Sequence, residues 1–249
     1  MLGLQGKTIL VTGASSGIGQ QTAIYLTQLG AKVVITGRNE ERLDETYKQL
    51  EGTSHLKIKA DLTQLDDVKN IFVYSRENNI KFNGLVYSAG MPCVMPLKAI
   101  SKDALLNIFD INYFSFICLV KEFIKKSNSE IGNSIVALSS EIVRHPRKFE
   151  LGYISSKAAL EAALPIIALE CKERGIRANA VGIGYVKAGM TITSIEKYDN
   201  EAILNKEVID KSLCGWTESI DIAKNIAFLI SDESRLINGR CIHIDGGIF

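Results

Sequence analysis

The chain has 249 residues, of which 46% are hydrophobic and 23% charged, and 29 Lys and Arg against 28 Asp and Glu leave a formal net charge of +1. This is the composition of a globular protein with enough length to bury a large core. Because the charge is near zero, nothing draws the chain generally toward nucleic acid or an anionic membrane, and we expect neither as a partner.

The cysteines, histidines and apolar runs set further expectations. The cysteines are Cys93, Cys118, Cys171, Cys214 and Cys241. Their odd number and scatter favour a reducing cytoplasm over a disulfide framework. The early apolar run 9–11 is too short for a signal-peptide core, and no later run approaches membrane-spanning length. His55, His145 and His243 lie far apart without a ligand motif, so the sequence predicts no metal site.

Seven short runs rich in β-branched residues alternate with segments of helical apolar spacing. The predicted strands are Lys7–Thr12, Lys32–Thr36, Leu56–Ala60, Gly84–Ser88, Ser134–Ser139, Arg177–Val181 and Arg240–Ile244. Segments between them, such as Ile18–Leu29 and Glu40–Leu50, need right-handed crossovers that cover both faces of one sheet. We therefore predict one α/β domain over 1–249: a Rossmann-type, doubly wound, seven-stranded parallel sheet with helices on both faces.

A glycine-rich turn follows the first predicted strand and opens a helix. Its candidate cofactor residues are Gly13, Ser15, Ser16, Gly17, Ile18 and Gly19. Glycines let backbone N–H groups approach a pyrophosphate, and the helix amino terminus adds a favourable partial charge. A plain strand-to-helix turn is the alternative. The position between strand and helix favours nucleotide binding.

The second predicted strand ends in Thr36-Gly37-Arg38-Asn39, where an NAD enzyme would place an acid against the ribose 2′-hydroxyl. Arg38 can instead form a charge-assisted pair with a 2′-phosphate. The sequence therefore favours NADP(H) over NAD(H). The alternative is a solvated arginine before the next helix.

Tyr153 and Lys157 lie one turn apart on one face of a predicted helix. An ammonium near a phenol favours the phenolate, so we expect Lys157 to lower the pKa of Tyr153 and ease proton transfer near neutrality. Such a pair also occurs on surface helices without any catalytic role. Its meaning depends on the other motifs.

The motif Thr-Gly-x-x-x-Gly-Ile-Gly, combined with Tyr-x-x-x-Lys, resembles the short-chain dehydrogenase/reductase family in its roughly 250-residue form. The likeness runs almost end to end. It implies that Ser140, thirteen positions before Tyr153, binds the substrate oxygen, with Ser139 the weaker candidate. It also implies that Asn112 helps to hold a water that links Lys157 to solvent.

The resemblance implies further cofactor contacts after the third, fourth and sixth strands. These residues are Asp61 and Leu62, then Ser88, Ala89 and Gly90, then Gly184 and Val186. The sequence also departs from the family pattern. Tyr87 and Ser88 replace two asparagines, which puts in doubt the bonds that those amides make to neighbouring strands. Ala188 replaces a threonine, whose hydroxyl could come only from Thr191 or Thr193.

The implied reaction is hydride transfer from NADPH to a carbonyl, with Tyr153 donating a proton, Ser140 stabilising the oxyanion and Lys157 orienting the ribose. The working substrate is a 3-oxoacyl thioester or similar small ketone. The alternatives are an alcohol, hydroxysteroid or sugar dehydrogenase working oxidatively, and a non-catalytic NADP-sensing module. The family assembles as symmetric oligomers, so a homotetramer or homodimer is expected.

Two loops near the expected site carry hypotheses of their own. The polar stretch 184–215 follows the sixth strand and is predicted to be a substrate loop that closes as a lid. Arg144, Arg147 and Lys148 lie between Ser140 and Tyr153 and could bind an anionic part of the substrate. A solvated surface loop is the alternative for this cluster.

Overall fold

The computed structural model describes residues 2–189, 191–192 and 201–248. Its strands are β1 (Thr8–Thr12), β2 (Lys32–Gly37), β3 (Leu56–Lys59), β4 (Phe82–Tyr87), β5 (Ser129–Ser140), β6 (Arg177–Ile183) and β7 (Cys241–Ile244). Its helices are α1 (Gly17–Gln28), α2 (Glu40–Tyr47), α3 (Leu65–Glu77), α4 (Lys102–Phe109), α5 (Ser115–Phe123), α6 (Leu151–Glu170), α7 (Glu201–Lys211) and α8 (Ser219–Ile230).

The seven strands form one sheet in the order β3-β2-β1-β4-β5-β6-β7, and every neighbouring pair is parallel. The predicted doubly wound parallel sheet is therefore confirmed. β5 begins at Ser129, earlier than predicted, because Ser129 pairs with Phe82 before the register shifts. The stretch after Ser129 lacks a β-branched run, so local sequence gave no strand signal there.

Side chains on successive positions of each central strand enter two different cores. Leu10 of β1 packs on the face covered by α3, α5 and α6, whereas Ile9 and Val11 pack on the face covered by α1 and α8. All three side chains are fully buried. Strands that are apolar at every position are the expected pattern for a sheet with helices on both faces.

α4 and α5 form one continuous helical stretch, because the residues between them, Asp110–Phe114, make a π-helical turn. A π-helical turn contains one residue more than an α-helical turn, so the side chains in it are shifted around the helix axis. Such turns are often found at functional sites. The turn includes Asn112, whose side chain is fully buried.

Two helical stretches, Lys102–Phe123 and Leu151–Glu170, are long and apolar enough to cross a membrane by length and composition, with mean hydropathies of 1.4 and 1.2. The expectation that no segment reaches this length is therefore wrong on that criterion, because it considered only uninterrupted apolar runs. Both stretches pack against the sheet, through residues such as Phe116 and Leu160. Helices in the core of soluble proteins often have this length and hydropathy, so the two stretches are only weak evidence for a membrane span.

Candidate active site

The residues predicted to bind cofactor and substrate meet at the carboxyl edge of the sheet. Thr12 pairs with Tyr87 across β1 and β4, Tyr87 pairs with Ala137 of β5, and Ser140 pairs with Ile183 across β5 and β6. The loops that follow these strands therefore begin side by side. Ligands of open parallel sheets bind at this edge.

Close packing in the glycine-rich turn leaves no room for a Cβ at Gly13 or Gly19. A Cβ built on Gly19 would lie 2.4 Å from the carbonyl oxygen of Gly13, so only glycine fits there. Ser16 precedes α1 in extended conformation, and its side chain makes no capping hydrogen bond. The first N–H groups of α1 are thus left for an anion such as a pyrophosphate.

The segment that follows β4 is hydrogen-bonded to the last residue of β1. The hydroxyl of Thr12 accepts hydrogen bonds from the backbone N–H groups of Ser88 at 3.1 Å and Ala89 at 3.3 Å. A Cβ built on Gly90 would lie 3.2 Å from Asn112 Oδ1 and 3.6 Å from Lys157 Nζ. The segment 88–90 therefore connects the phosphate turn to the catalytic side chains.

Arg38 follows the last residue of β2 and is exposed. In the part of the chain that the structure describes, no acidic side chain pairs with it; Glu40, the nearest acid in sequence, pairs with Lys59 at 3.3 Å. The guanidinium is therefore available to an anionic ligand at this edge.

Asp61 is held in a tight turn after β3. Its Oδ1 accepts hydrogen bonds from the backbone N–H of Thr63 at 3.0 Å and from its hydroxyl at 2.8 Å. Leu62 is 5% exposed and packs in the core beside α3 and α5. If Leu62 contacts the cofactor, the contact is therefore made by its backbone and not by its side chain.

The segment after β6 is packed against the closing strand. A Cβ on Gly184 would lie 2.6 Å from the carbonyl oxygen of Asp245. Val186 is buried and forms an isolated parallel bridge with Thr217. Thr191 donates its backbone N–H to Ala188 at 3.0 Å, whereas Thr193 lies outside the described residues, as do 190 and 194–200 of the predicted lid.

Asn112 joins three segments of the site. Its Oδ1 accepts from the Met91 N–H at 2.9 Å, and its Nδ2 donates to the Met91 carbonyl at 3.1 Å and to Ser156 Oγ at 3.0 Å. The π-turn, the loop after β4 and α6 are therefore fixed relative to one another by one buried amide.

Tyr153 and Lys157 lie on one face of α6, with Lys157 Nζ 5.8 Å from the centroid of the Tyr153 ring. Lys157 is 4% exposed, and its ammonium donates a hydrogen bond to the Leu138 carbonyl at 2.7 Å. Burial lowers the pKa of Lys157 to about 8, against an opposing effect of Glu161. Lys157 thus stays protonated at neutral pH but close to its titration range.

The expectation that Lys157 lowers the pKa of Tyr153 is wrong for this structure. Desolvation, followed by the charges of Glu150 and Glu141, raises the pKa of Tyr153 to about 12, although a hydrogen bond with Ser140 acts in the opposite direction. The ammonium is directed to a backbone carbonyl, and desolvation of the phenolate exceeds its attraction. The phenol is therefore protonated at neutral pH.

The two serines at the end of β5 have separate partners. Ser140 lies close enough to the Tyr153 phenol to lower its pKa, and its hydroxyl donates to the Ile183 carbonyl at 3.5 Å and accepts from the Ile142 N–H at 3.4 Å. Ser139 donates to Glu161 Oε1 at 2.5 Å, away from the phenol. The geometry therefore places Ser140, rather than Ser139, beside the proposed proton donor.

Tyr87, which replaces a family asparagine, supplies a bond of its own. It is fully buried, its ring lies 5.2 Å from that of Phe116, and its hydroxyl donates to the Ile111 carbonyl. The tyrosine thereby ties β4 to the π-turn next to Asn112. The sequence analysis treated Tyr87 only as a departure, because the turn that it supports has no local signal.

A buried ion pair follows Ser140 directly and was also missed. Glu141 is 1% exposed and accepts a hydrogen bond from Arg147, whose guanidinium lies 4.9 Å from the centroid of the Tyr185 ring. Desolvation raises the pKa of Glu141 although Arg147 opposes the shift, and its Oε2 has no described hydrogen-bond partner. Arg147 is therefore engaged by a protein carboxylate, while Arg144 and Lys148 are exposed.

A doubly wound parallel sheet with a phosphate-type turn, and with buried Asn112, Ser140 and Lys157 and half-buried Tyr153 at its carboxyl edge, defines a dinucleotide-binding oxidoreductase fold. The family described as enoyl-(acyl carrier protein) reductase matches residues 13–248. A curated relative, 3-oxoacyl-(acyl-carrier-protein) reductase of Rickettsia bellii, is 33% identical over 100% of this chain and 99% of its own.

Other relatives act on different substrates. Glucose 1-dehydrogenase of Gluconobacter oxydans is 30% identical over 98% of this chain and 92% of its own. The structure of L-sorbose reductase from Gluconobacter frateurii, complexed with NADPH and L-sorbose, superposes with a TM-score of 0.94 at 21% identity over 100% of this chain and 98% of that one. The chain belongs to the short-chain dehydrogenase/reductase family and is an oxidoreductase acting on CH–OH and C=O groups.

Proposed function

We propose that the protein is an NADP(H)-dependent ketone reductase in which Tyr153 is the proton donor. The observation that carries this proposal is the meeting of Tyr153 and Lys157 on one face of α6 with Ser140 at the end of β5, together with a phenol whose pKa burial raises to about 12. A group that holds its proton at neutral pH is suited to give it to a developing alkoxide. The nicotinamide, when bound, supplies the hydride.

Other side chains of the site stabilise charge and fix the geometry. The Ser140 hydroxyl stabilises negative charge on the carbonyl oxygen while Tyr153 protonates it. Lys157 would supply a buried positive charge to the bound cofactor. Asn112 is a positioning residue that keeps the π-turn and α6 in register through Ser156 and Met91. The N–H groups at the start of α1, together with Gly184, Val186 and the segment 88–90, would hold the cofactor.

The preference for NADP(H) rests on Arg38, which is exposed at the end of β2 without a described acidic partner. Arg38→Asp removes a cation and adds a repulsive carboxylate, so we expect the NADPH/NADH ratio of kcat/KM to fall by roughly 100-fold or more. Arg42→Asp, four residues further and equally exposed, is the matched control and should leave the ratio nearly unchanged. A wild-type protein that already prefers NADH would contradict the assignment.

The proposed substrate class is a 3-oxoacyl thioester or similar small ketone, supported by the 33% identity to a 3-oxoacyl-(acyl-carrier-protein) reductase. A panel of a 3-oxoacyl thioester, a ketose and a ketosteroid, assayed with NADPH by nicotinamide absorbance, should give the thioester the highest kcat/KM. Absence of turnover with every ketone and every corresponding alcohol would instead indicate a non-catalytic cofactor-sensing module.

A sugar or polyol dehydrogenase is the second candidate. The segment 141–150 between Ser140 and Tyr153 is polar, and its exposed Arg144 and Lys148 offer donors to a substrate with several hydroxyl groups. The relative from Gluconobacter oxydans acts on glucose, as its name states. Higher kcat/KM for the ketose than for the thioester in the same panel would select this candidate.

We also propose that the protein works as a homotetramer or homodimer in the cytoplasm. Apolar side chains are exposed on α6, where Ile166 is 55% and Leu169 68% exposed, and on the α4–α5 stretch at Leu106 and Phe114. All five cysteines are free, which suits a reducing compartment. Light scattering coupled to size-exclusion chromatography measures the assembly, and a monomer at micromolar concentration would contradict it.

A further inference from the structure

Three side chains with different donor atoms meet between α6 and β7. Glu161 lies two turns after Tyr153 on α6, and Cys241 and His243 lie two residues apart on one face of β7. The carboxylate oxygen, the sulfur and the imidazole nitrogen all lie within 4.8 Å of one another. We propose that Glu161, Cys241 and His243 bind one Zn²⁺ ion as a structural tie between the catalytic helix and the last strand.

The donor set selects the kind of ion. Carboxylate, thiolate and imidazole are the ligands of protein zinc, whereas Mg²⁺ and Ca²⁺ take oxygen ligands almost alone. Tetrahedral zinc with ordinary bond lengths separates its donor atoms by roughly 3.4–3.6 Å. The three donor atoms lie within 4.8 Å of one another, so side-chain movements of about an ångström would bring them to this spacing. Three protein ligands leave the fourth position for water.

The fold makes room for this arrangement at Gly182. The glycine pairs with His243 across β6 and β7, and a Cβ built on it would lie 2.6 Å from His243 Nδ1. The imidazole therefore lies directly over the backbone of β6. Its Nδ1 is buried and has no hydrogen-bond partner among the described residues. A buried polar atom without a partner is costly, and a metal bound to the ring by this nitrogen would remove that cost.

Neighbouring groups orient the ligands, and metal binding releases the thiol proton. Ser139 donates to Glu161 Oε1 at 2.5 Å and fixes the carboxylate, as outer partners of metal ligands commonly do. The Cys241 thiol forms a hydrogen bond with Glu161 in the absence of metal. Binding exchanges that bond for a zinc–sulfur bond: Zn²⁺ and the thiol give a zinc thiolate and one proton, which passes to solvent. No oxidant or reductant takes part.

The three ligands lie outside the groups proposed to react with substrate. Lys157 lies one turn and Tyr153 two turns from Glu161, so the ion would contact neither side chain, but neutralising the Glu161 carboxylate would remove a charge that favours the Lys157 ammonium. The proposed site does not depend on the proposed substrate or on the direction of catalysis. The three ligands come from positions 161, 241 and 243, which is why local spacing predicted no metal site.

The test is titration of the chelator-treated full chain with Co²⁺, which takes zinc sites and reports thiolate ligation by a sulfur-to-cobalt charge-transfer absorption. One equivalent per chain should produce the absorption, and Zn²⁺ should displace it. Cys241→Ser should abolish it, whereas Cys214→Ser, at an exposed cysteine, should leave it unchanged. His243→Gln and Glu161→Gln should each weaken Zn²⁺ binding at least tenfold, and Ser139→Ala should weaken it roughly 10- to 100-fold.

Far-ultraviolet circular dichroism and NADPH binding establish that each variant is folded. If Cys241→Ser fails to fold, His243→Gln, which keeps the thiolate, decides the question through the loss of Zn²⁺ affinity. No charge-transfer absorption in the wild type, an absorption that survives Cys241→Ser, or a Zn²⁺ affinity that stays at the wild-type value in His243→Gln and Glu161→Gln would overturn the proposal. The cluster would then be a network of hydrogen bonds only.

Discussion

The phosphate turn and the catalytic face of α6 lie at the same edge of the sheet but are built in opposite ways. The turn is one continuous segment, 13–19, and its function rests on backbone N–H groups and on the absence of a Cβ at Gly19. The proposed catalytic set takes Asn112 from the π-turn, Ser140 from β5, and Tyr153 and Lys157 from α6. Its function rests on side chains that have lost most of their water.

This difference determines how each region responds to its surroundings. Backbone donors do not titrate, so the turn presents the same surface to a phosphate at any ordinary pH. Lys157 and Tyr153 are shifted by burial in opposite senses, to pKa values of about 8 and 12. A site of buried side chains is therefore tuned by desolvation, and its behaviour cannot be derived from which residues are present alone.

The largest expected effect separates chemistry from cofactor binding. Tyr153→Phe deletes the proton donor but keeps the ring, so kcat for ketone reduction should fall about 1000-fold while the Kd for NADPH changes less than about twofold. Steady-state kinetics and fluorescence titration measure the two quantities. Tyr74→Phe, at an exposed tyrosine of α3, is the control and should change neither. Parallel losses of turnover and NADPH affinity would argue against the assigned role.

The complementary change breaks the other region. Gly19→Ala introduces a Cβ that would lie 2.4 Å from the Gly13 carbonyl oxygen, so the turn must open. Overpacking of this kind costs about 1–3 kcal/mol, and NADPH affinity should fall roughly 10- to 100-fold. At saturating NADPH, kcat should recover most of its wild-type value. A kcat loss that persists at saturation would show that the two regions are not separable.

The pH profile sharpens the comparison, because only the side-chain region titrates. With a pKa of about 8, Lys157 is roughly nine-tenths protonated at pH 7 and one-tenth protonated at pH 9. Burial disfavours the ammonium, so its charge is lost as pH rises, and kcat/KM for reduction should fall about ninefold over this range. Lys157→Arg keeps the charge, so kcat/KM should no longer fall between pH 7 and pH 9, even if the absolute rate is lower. A fall that persists in that variant would belong to the titration of another group.

The smallest effect concerns the support of Asn112. Tyr87→Phe removes the hydroxyl that donates to the Ile111 carbonyl and with it one hydrogen bond between β4 and the π-turn. The free energy of unfolding should fall by about 0.5–1.5 kcal/mol in denaturant titrations. A positioning role predicts in addition that kcat falls, by less than about tenfold, with little change in KM. An unchanged kcat beside the stability loss would leave Tyr87 with a structural role alone.

Local sequence was sufficient for the architecture and for the phosphate turn. The parallel, doubly wound sheet follows from the alternation of apolar runs with helical segments, because parallel strands require crossovers and crossovers have one hand, whereas the strand order came only from the structure. The turn was found because the glycines that it needs are contiguous. Arg38 and the Tyr153–Lys157 pair were also visible, since each depends on a single strand end or a single helical turn.

Only the tertiary structure decided the electrostatics and the partners. The pKa of Tyr153 was predicted in the wrong direction, because sequence spacing shows the neighbouring ammonium but not the desolvation that outweighs it. The role of Tyr87 and the Glu141–Arg147 pair depend on contacts with the π-turn and with Tyr185. Glu161, Cys241 and His243 meet only after the chain has crossed the sheet. Periodicity determines which face of an element is buried, whereas the packing of separate elements determines what each buried polar group contacts and how much water it loses.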